Sequence, residues 1–198
     1  MLIFLFITTV AACGTPQSIE PDLAQRRLQD QWMLAQHTVW ELEWEAMPTG
    51  GPLTVETWRA EGKYRFEILE SAAPDFVGKS VIFDGQRSWI QDRFTDELTE
   101  LDSPRLSPVS DAFNLIDQQL LKTPTNASQT QTQLGHGPTQ MITLTFEADN
   151  KLTMWLEEET RLPVRVQFVE NGHSILLNAR DFEPLETIQT GLFKPILR

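Results

Sequence analysis

The stretch Thr139–Phe182 limits the fold more than any other part of the chain. Apolar and polar residues alternate along it, the period-two mark of half-buried strands. Ile142, Leu144 and Phe146 share one face; so do Leu152, Met154 and Leu156; so do Val164, Val166 and Phe168. Asn171-Gly172 is a strong hairpin signal, because both central residues of a type I′ turn need φ > 0, and Ile175, Leu177 and Ala179 then resume the face. Four strands joined by short turns make an antiparallel meander with one apolar and one charged face. Something else in the chain must cover the apolar side.

Upstream the same logic gives more strands. Thr38–Ala46 puts Trp40, Leu42 and Trp44 on one face and Glu41, Glu43 and Glu45 on the other. Pro48–Pro52 reads as a turn, Leu53–Ala60 as a strand and Glu61-Gly62 as a tight turn. Lys63–Ser71 follows, with Tyr64, Phe66 and Ile68 on one face. Lys79–Phe83 and Gln86–Gln91 read as a hairpin across Asp84-Gly85, with Trp89 in its second arm, and Glu97–Leu101 as a short strand. Two segments have helical spacing. Ile19–His37 carries Pro21 in its first turn and Leu28 and Trp32 four apart. Pro108–Lys122 follows Ser107, a preferred cap, and places Val109, Phe113, Ile116 and Leu120 on one side. Thr123–Gln133 is polar and reads as a loop. Many short antiparallel strands and two helices predict a mainly β (α+β) fold, an open sheet with helices over its concave side.

The N-terminus reads differently. Met1–Val10 is almost wholly apolar but too short to span a bilayer. It fits the apolar region of a signal peptide, residues 1–12, ending in small residues. Val10-Ala11-Ala12-Cys13 resembles the lipobox of bacterial lipoproteins, although no Lys or Arg precedes the apolar run. The resemblance implies cleavage before Cys13, diacylglycerol on its sulfur and residence on a membrane of the bacterial envelope. Residues 13–21 would then be a lipidated tether, Gly14–Pro21 reaching about 28 Å if extended, and residues 22–198 the domain.

Composition excludes several functions. With 16 basic and 28 acidic residues the net charge is −12, which disfavours nucleic acid and anionic lipid headgroups as partners. A single cysteine allows no disulfide framework and no zinc cluster. His37, His136 and His173 lack ligand spacing, no nucleophile elbow occurs, and Glu157-Glu158-Glu159 reads as a solvated run beside a turn. Glu41, Glu43 and Glu45 on one strand face resist edge pairing better than they suggest a metal. The residues thus imply no enzyme, no cofactor and no metal.

Two blocks of motifs carry a family resemblance. Gly62-Lys63-Tyr64-Arg65-Phe66-Glu67, then Val81-Ile82-Phe83-Asp84-Gly85-Gln86 with Trp89, resemble the first half of LolA-like lipoprotein carriers. Leu152–Glu157, Thr160–Arg165 and Asp181-Phe182-Glu183 resemble the second half. The resemblance implies a half-open antiparallel β-barrel lidded by helices, binding acyl chains of lipids or lipoproteins in an apolar groove. Trp40, Leu42, Trp44, Tyr64, Phe66 and Ile68 would line that groove. So would Phe83, Trp89, Ile142, Leu144, Phe146 and Met154, while Phe113, Ile116 and Leu120 would form the lid. RseB-type relatives imply an alternative, a sensor that binds an envelope protein.

Overall fold

The computed structural model describes residues 14–45, 50–95, 97–101, 108–189 and 191–196. The lipobox with Cys13, part of the Pro48–Pro52 turn and the Ser107 cap lie outside the described residues.

In chain order the elements are β1 (Gln17–Ser18), α1 (Pro21–Trp32), β2 (Gln36–Trp44), β3 (Leu53–Ala60), β4 (Lys63–Ser71), β5 (Lys79–Phe83), β6 (Ser88–Asp92) and β7 (Leu98–Leu101). After α2 (Pro108–Leu120) come β8 (Asn126–Leu134), β9 (Gly137–Thr145), β10 (Lys151–Glu157), β11 (Pro163–Glu170) and β12 (His173–Pro184). All strands join one antiparallel sheet in the order β1-β8-β9-β10-β11-β12-β2-β3-β4-β5-β6-β7. The sheet does not close, since β1 and β7 are its two edges. The pairing of β12 with β2 splices the C-terminal meander to the N-terminal one.

Register fixes which side chains meet, because directly opposed residues share a face. Leu144, Leu152, Phe168 and Ile175 oppose one another in turn across β9–β12, and Ile175 opposes Trp44 on β2. Trp40 opposes Val55, which opposes Ile68. These residues form one apolar face, against which both helices pack. Ala24, Leu28 and Trp32 of α1 are buried there, as are Val109, Ala112, Phe113, Ile116 and Leu120 of α2. The sheet therefore has helices, not a second sheet, against its apolar side. Two turns behave as their sequences require: Asn171-Gly172 (φ 51° and 84°) and Glu61-Gly62 (φ 52° and 73°) are both left-handed.

Four points differ from the sequence reading. Residues 14–19, read as part of an extended tether, instead bond along β8 as an edge of the sheet. The first helix ends at Trp32 instead of running to His37, because Gln36 and His37 already pair with Arg59 and Trp58 of β3. Asp84-Gly85 belongs to a four-residue loop: Phe83 opposes Ser88, and Asp84 Oδ1 accepts from the backbone N–H groups of Gln86 and Arg87. The polar stretch read as a loop is mostly strand. β8 is hydrogen-bonded to β9 over nine opposed pairs, Asn126↔Thr145 to Leu134↔Gly137. Its backbone ladder leaves no apolar signature.

The splice carries a titratable group on the convex face. His37 sits 2.8 Å from Glu56 of β3 and 2.9 Å from Glu183 of β12, with its ring stacked on Trp58. Burial opposes the charged imidazole, but hydrogen bonds and charge from Glu183 and Glu56 outweigh it and raise the pKa above 6.5. A pKa raised by folding stabilises the fold fully below the unfolded value and loses that stabilisation as pH rises through the folded value. The urea midpoint is therefore expected to fall between about pH 6 and 8. His37→Gln should flatten that limb, and an unchanged slope in the variant would show that another group is responsible.

Candidate functional site

Among the described residues, α2 and the end of α1 set their aromatic side chains against the apolar face, so they define the candidate site. Their seat is aromatic. Phe113 of α2 stacks on Trp32 of α1 (ring centroids 5.7 Å) and on Phe66 of β4 (4.7 Å). Trp32 reaches Trp40 at 6.4 Å, and Phe66 continues to Tyr64 at 4.7 Å and on to Phe83.

Polar contacts pin the helices around this row. The side-chain amides of Gln25 and Gln29 donate to the Leu120 carbonyl, and Gln25 also donates to the Lys122 carbonyl. One helix thereby caps the otherwise unmet C-terminal carbonyls of the other. At the opposite side Asp117 Oδ1 accepts from Trp32 Nε1 and, at 3.1 Å, from Arg59 Nη2. The Arg59 guanidinium lies 4.3 Å from the Trp32 ring centre, a cation–π contact.

Of the residues that the sequence singles out, Trp40, Leu42, Phe66, Ile68, Ile142, Leu144, Phe146 and Met154 lie in one buried cluster with Phe113, Ile116 and Leu120. Trp44 and Tyr64 are half-buried against it, and Phe83 is half-buried beside Tyr64. Trp89 is a correction. It opposes Ile82, which opposes Arg65, whereas the apolar face runs Phe66–Val81–Ile90. Trp89 thus lies on the convex side with Ile82, where Gln91 exchanges two hydrogen bonds with the backbone of Ile196. Trp155, also convex, carries Arg165 5.0 Å from its ring centre. Arg59, Asp117, Gln25 and Gln29 were not anticipated. Arg59 had a signal: it shares the parity of Val55 and Thr57, and a charge in that register is out of place unless paired.

Among the described residues, α1 and α2 bury their apolar side chains in the hollow. A cavity of about 210 Å³ remains between α2 and the β3–β4 hairpin, lined by Met33, Arg59, Ala60, Gly62, Lys63, Tyr64, Phe83, Asn114 and Asp117. Another of about 260 Å³ opens beside Trp44, Leu115, Phe168 and Ile175. A third, about 270 Å³, lies under the C-terminal segment between Ile188 and Lys194.

Other polar groups tie neighbouring elements together. His136 contacts the Ala179 carbonyl at 2.7 Å, His173 pairs with Glu45, and Glu41 lies 3.8 Å from Arg180. Glu157 accepts from the backbone N–H and hydroxyl of Thr160, tying the β10–β11 turn. Among the described residues, no group of three or more His, Cys, Asp or Glu is placed to hold a metal ion. No described helix is long and apolar enough to cross a membrane.

No family model matches the sequence, and no curated protein matches it. Solved structures do. An uncharacterized conserved protein from Thermus thermophilus has a TM-score of 0.58 at 10% identity, over 89% of this chain and 94% of its own. MucB in the Pseudomonas aeruginosa MucA/MucB complex has a TM-score of 0.54 at 14% identity, over 86% of this chain; the match spans only 60% of the MucB chain. The Mycobacterium tuberculosis lipoprotein LppX has a TM-score of 0.51 at 15% identity, over 86% of this chain and 99% of its own. At such identities the likeness is one of fold. The chain thus has the LolA-like fold, an open antiparallel sheet with helices on its apolar side, that the MucB and LppX structures share.

Proposed function

We propose that this chain is a non-catalytic binding protein of the bacterial cell envelope, held there through Cys13, and that its occupant is a protein. One observation carries the reading. Among the described residues the apolar face is covered by the chain's own helices, and the two cavities described beside α2, about 210 and 260 Å³, fall below the ~300–1,000 Å³ of ligand-sized pockets. Recognition then falls to the outer surface. MucB, solved in complex with MucA, supports the same reading.

A second reading is favoured by the aromatic row under α2. If α2 lifts, Trp40, Phe66, Ile142, Leu144 and Met154 would exchange the helix's apolar side chains for an acyl chain at little cost in exposed area.

Native mass spectrometry of the full chain, extracted from its host in mild detergent, separates the two. The first reading expects a protein bound at 1:1 with no acyl species beyond the covalent anchor. Acyl chains at 1:1 without a protein would replace it with the second. The anchor has its own test: Cys13→Ser is expected to move the chain from the membrane to the soluble fraction, and unchanged membrane retention would count against the lipobox.

A further inference from the structure

The cavity between α2 and the β3–β4 hairpin has an unusual wall. Arg59 is 8% exposed; its Nη2 bonds Asp117, but its Nη1 is buried with no hydrogen-bond partner. Tyr64 opposes Arg59 directly across the β3–β4 pair, and its hydroxyl is buried with the Ser88 hydroxyl beside it but no well-formed hydrogen bond. A buried polar group without a partner costs about 1–3 kcal/mol, more when charged. Two such groups on adjacent strands beside one cavity form a site that an acceptor relieves.

The unfilled donors select an acceptor. Lys63 stands at the rim with its side chain 38% exposed. The facing acids are Asp117 on α2, already engaged by Arg59, Glu61, 3.6 Å from Lys63 and exposed, and Asp111 on α2, whose charge reaches Tyr64. Both positive side chains of the lining, Arg59 and Lys63, already have an acidic neighbour, so selection rests on the unfilled donor Arg59 Nη1 and the buried Tyr64 hydroxyl beside it. Burial, reinforced by Asp117, pushes the Tyr64 phenol up to about 12, so at neutral pH it keeps its proton and can donate.

We infer that this cavity binds a single oxyanion, a carboxylate or a phosphate group, through Arg59, Tyr64 and Lys63. At ~30 Å³ per water, about 210 Å³ holds a headgroup but not a long acyl chain. The oxyanion can be free or the head of an amphiphile. The inference goes beyond the reading above and needs neither the protein partner nor a displaced α2.

The test titrates the full chain, in nonionic micelles, with inorganic phosphate, acetate and hexanoate. Tryptophan fluorescence serves as the readout, because Arg59 stacks on Trp32. Saturable binding of at least one anion is expected. Tyr64→Phe should weaken it roughly tenfold, as for a hydrogen bond to a charged group. Asp117→Asn, which keeps an acceptor but removes the competing charge, should tighten it about fivefold. Loss of fold cannot produce effects of opposite sign. Hexanoate binding more tightly than acetate supports an amphiphile as the source. Equal binding of the two, or preference for phosphate, supports a free anion. If no anion saturates, or both variants leave the binding constant unchanged, the inference is overturned.

Discussion

Phe113→Ala is expected to lower the unfolding free energy by about 3–5 kcal/mol, the range for emptying a large aromatic site in a packed core. The ring is 2% exposed and touches both Trp32 and Phe66, so neither helix nor sheet can close the gap without moving the other. Urea unfolding measures the total. Hydrogen exchange tells where it falls. Because the β ladder does not depend on α2, the amides of α2 should lose protection before those of β9–β12. A loss below about 1 kcal/mol would mean that the helix is not seated as described.

The second large effect concerns Asp117 and Arg59. Asp117→Ala leaves a nearly buried guanidinium without its anion and is expected to cost about 1.5–3 kcal/mol. The carboxylate is 39% exposed, which holds this below the 3–5 kcal/mol of a fully buried pair. Arg59→Met, which removes the charge and keeps the stem, should cost less, and adding it to Asp117→Ala should recover stability. The double-mutant cycle checks this. Additive losses would show that the two residues act independently.

The meander was legible because Ile142, Leu144, Met154, Val166 and Leu177 alternate without a break, and a one-residue slip would expose all of them. Asn171-Gly172 fixed one register locally. β8 was not legible. Its Thr and Gln residues show no apolar period, and what makes it a strand is a ladder to β9, which any non-proline backbone can form. The helical seat was half legible. The spacing of Phe113, Ile116 and Leu120 marks an apolar stripe, but nothing in α1 announces that Gln25 and Gln29 cap the next helix. Trp89 shows the limit of parity. Its strand was read correctly, but the side it faces depends on its register with Ile82, which β5 and β6 do not reveal separately.

The shortest strand sets how the molecule would hang from a bilayer. Gly14 donates to the Gln131 carbonyl and Ile19 to that of Ala127, with Gln17 and Ser18 paired between them. Residues 14–19 are therefore hemmed onto the border of the sheet and contribute almost no slack. With Cys13 acylated, β8 would ride within a residue or two of the headgroups. Tension on the lipid would peel that hem one bond at a time, starting at Gly14, and each bond freed would lengthen the leash.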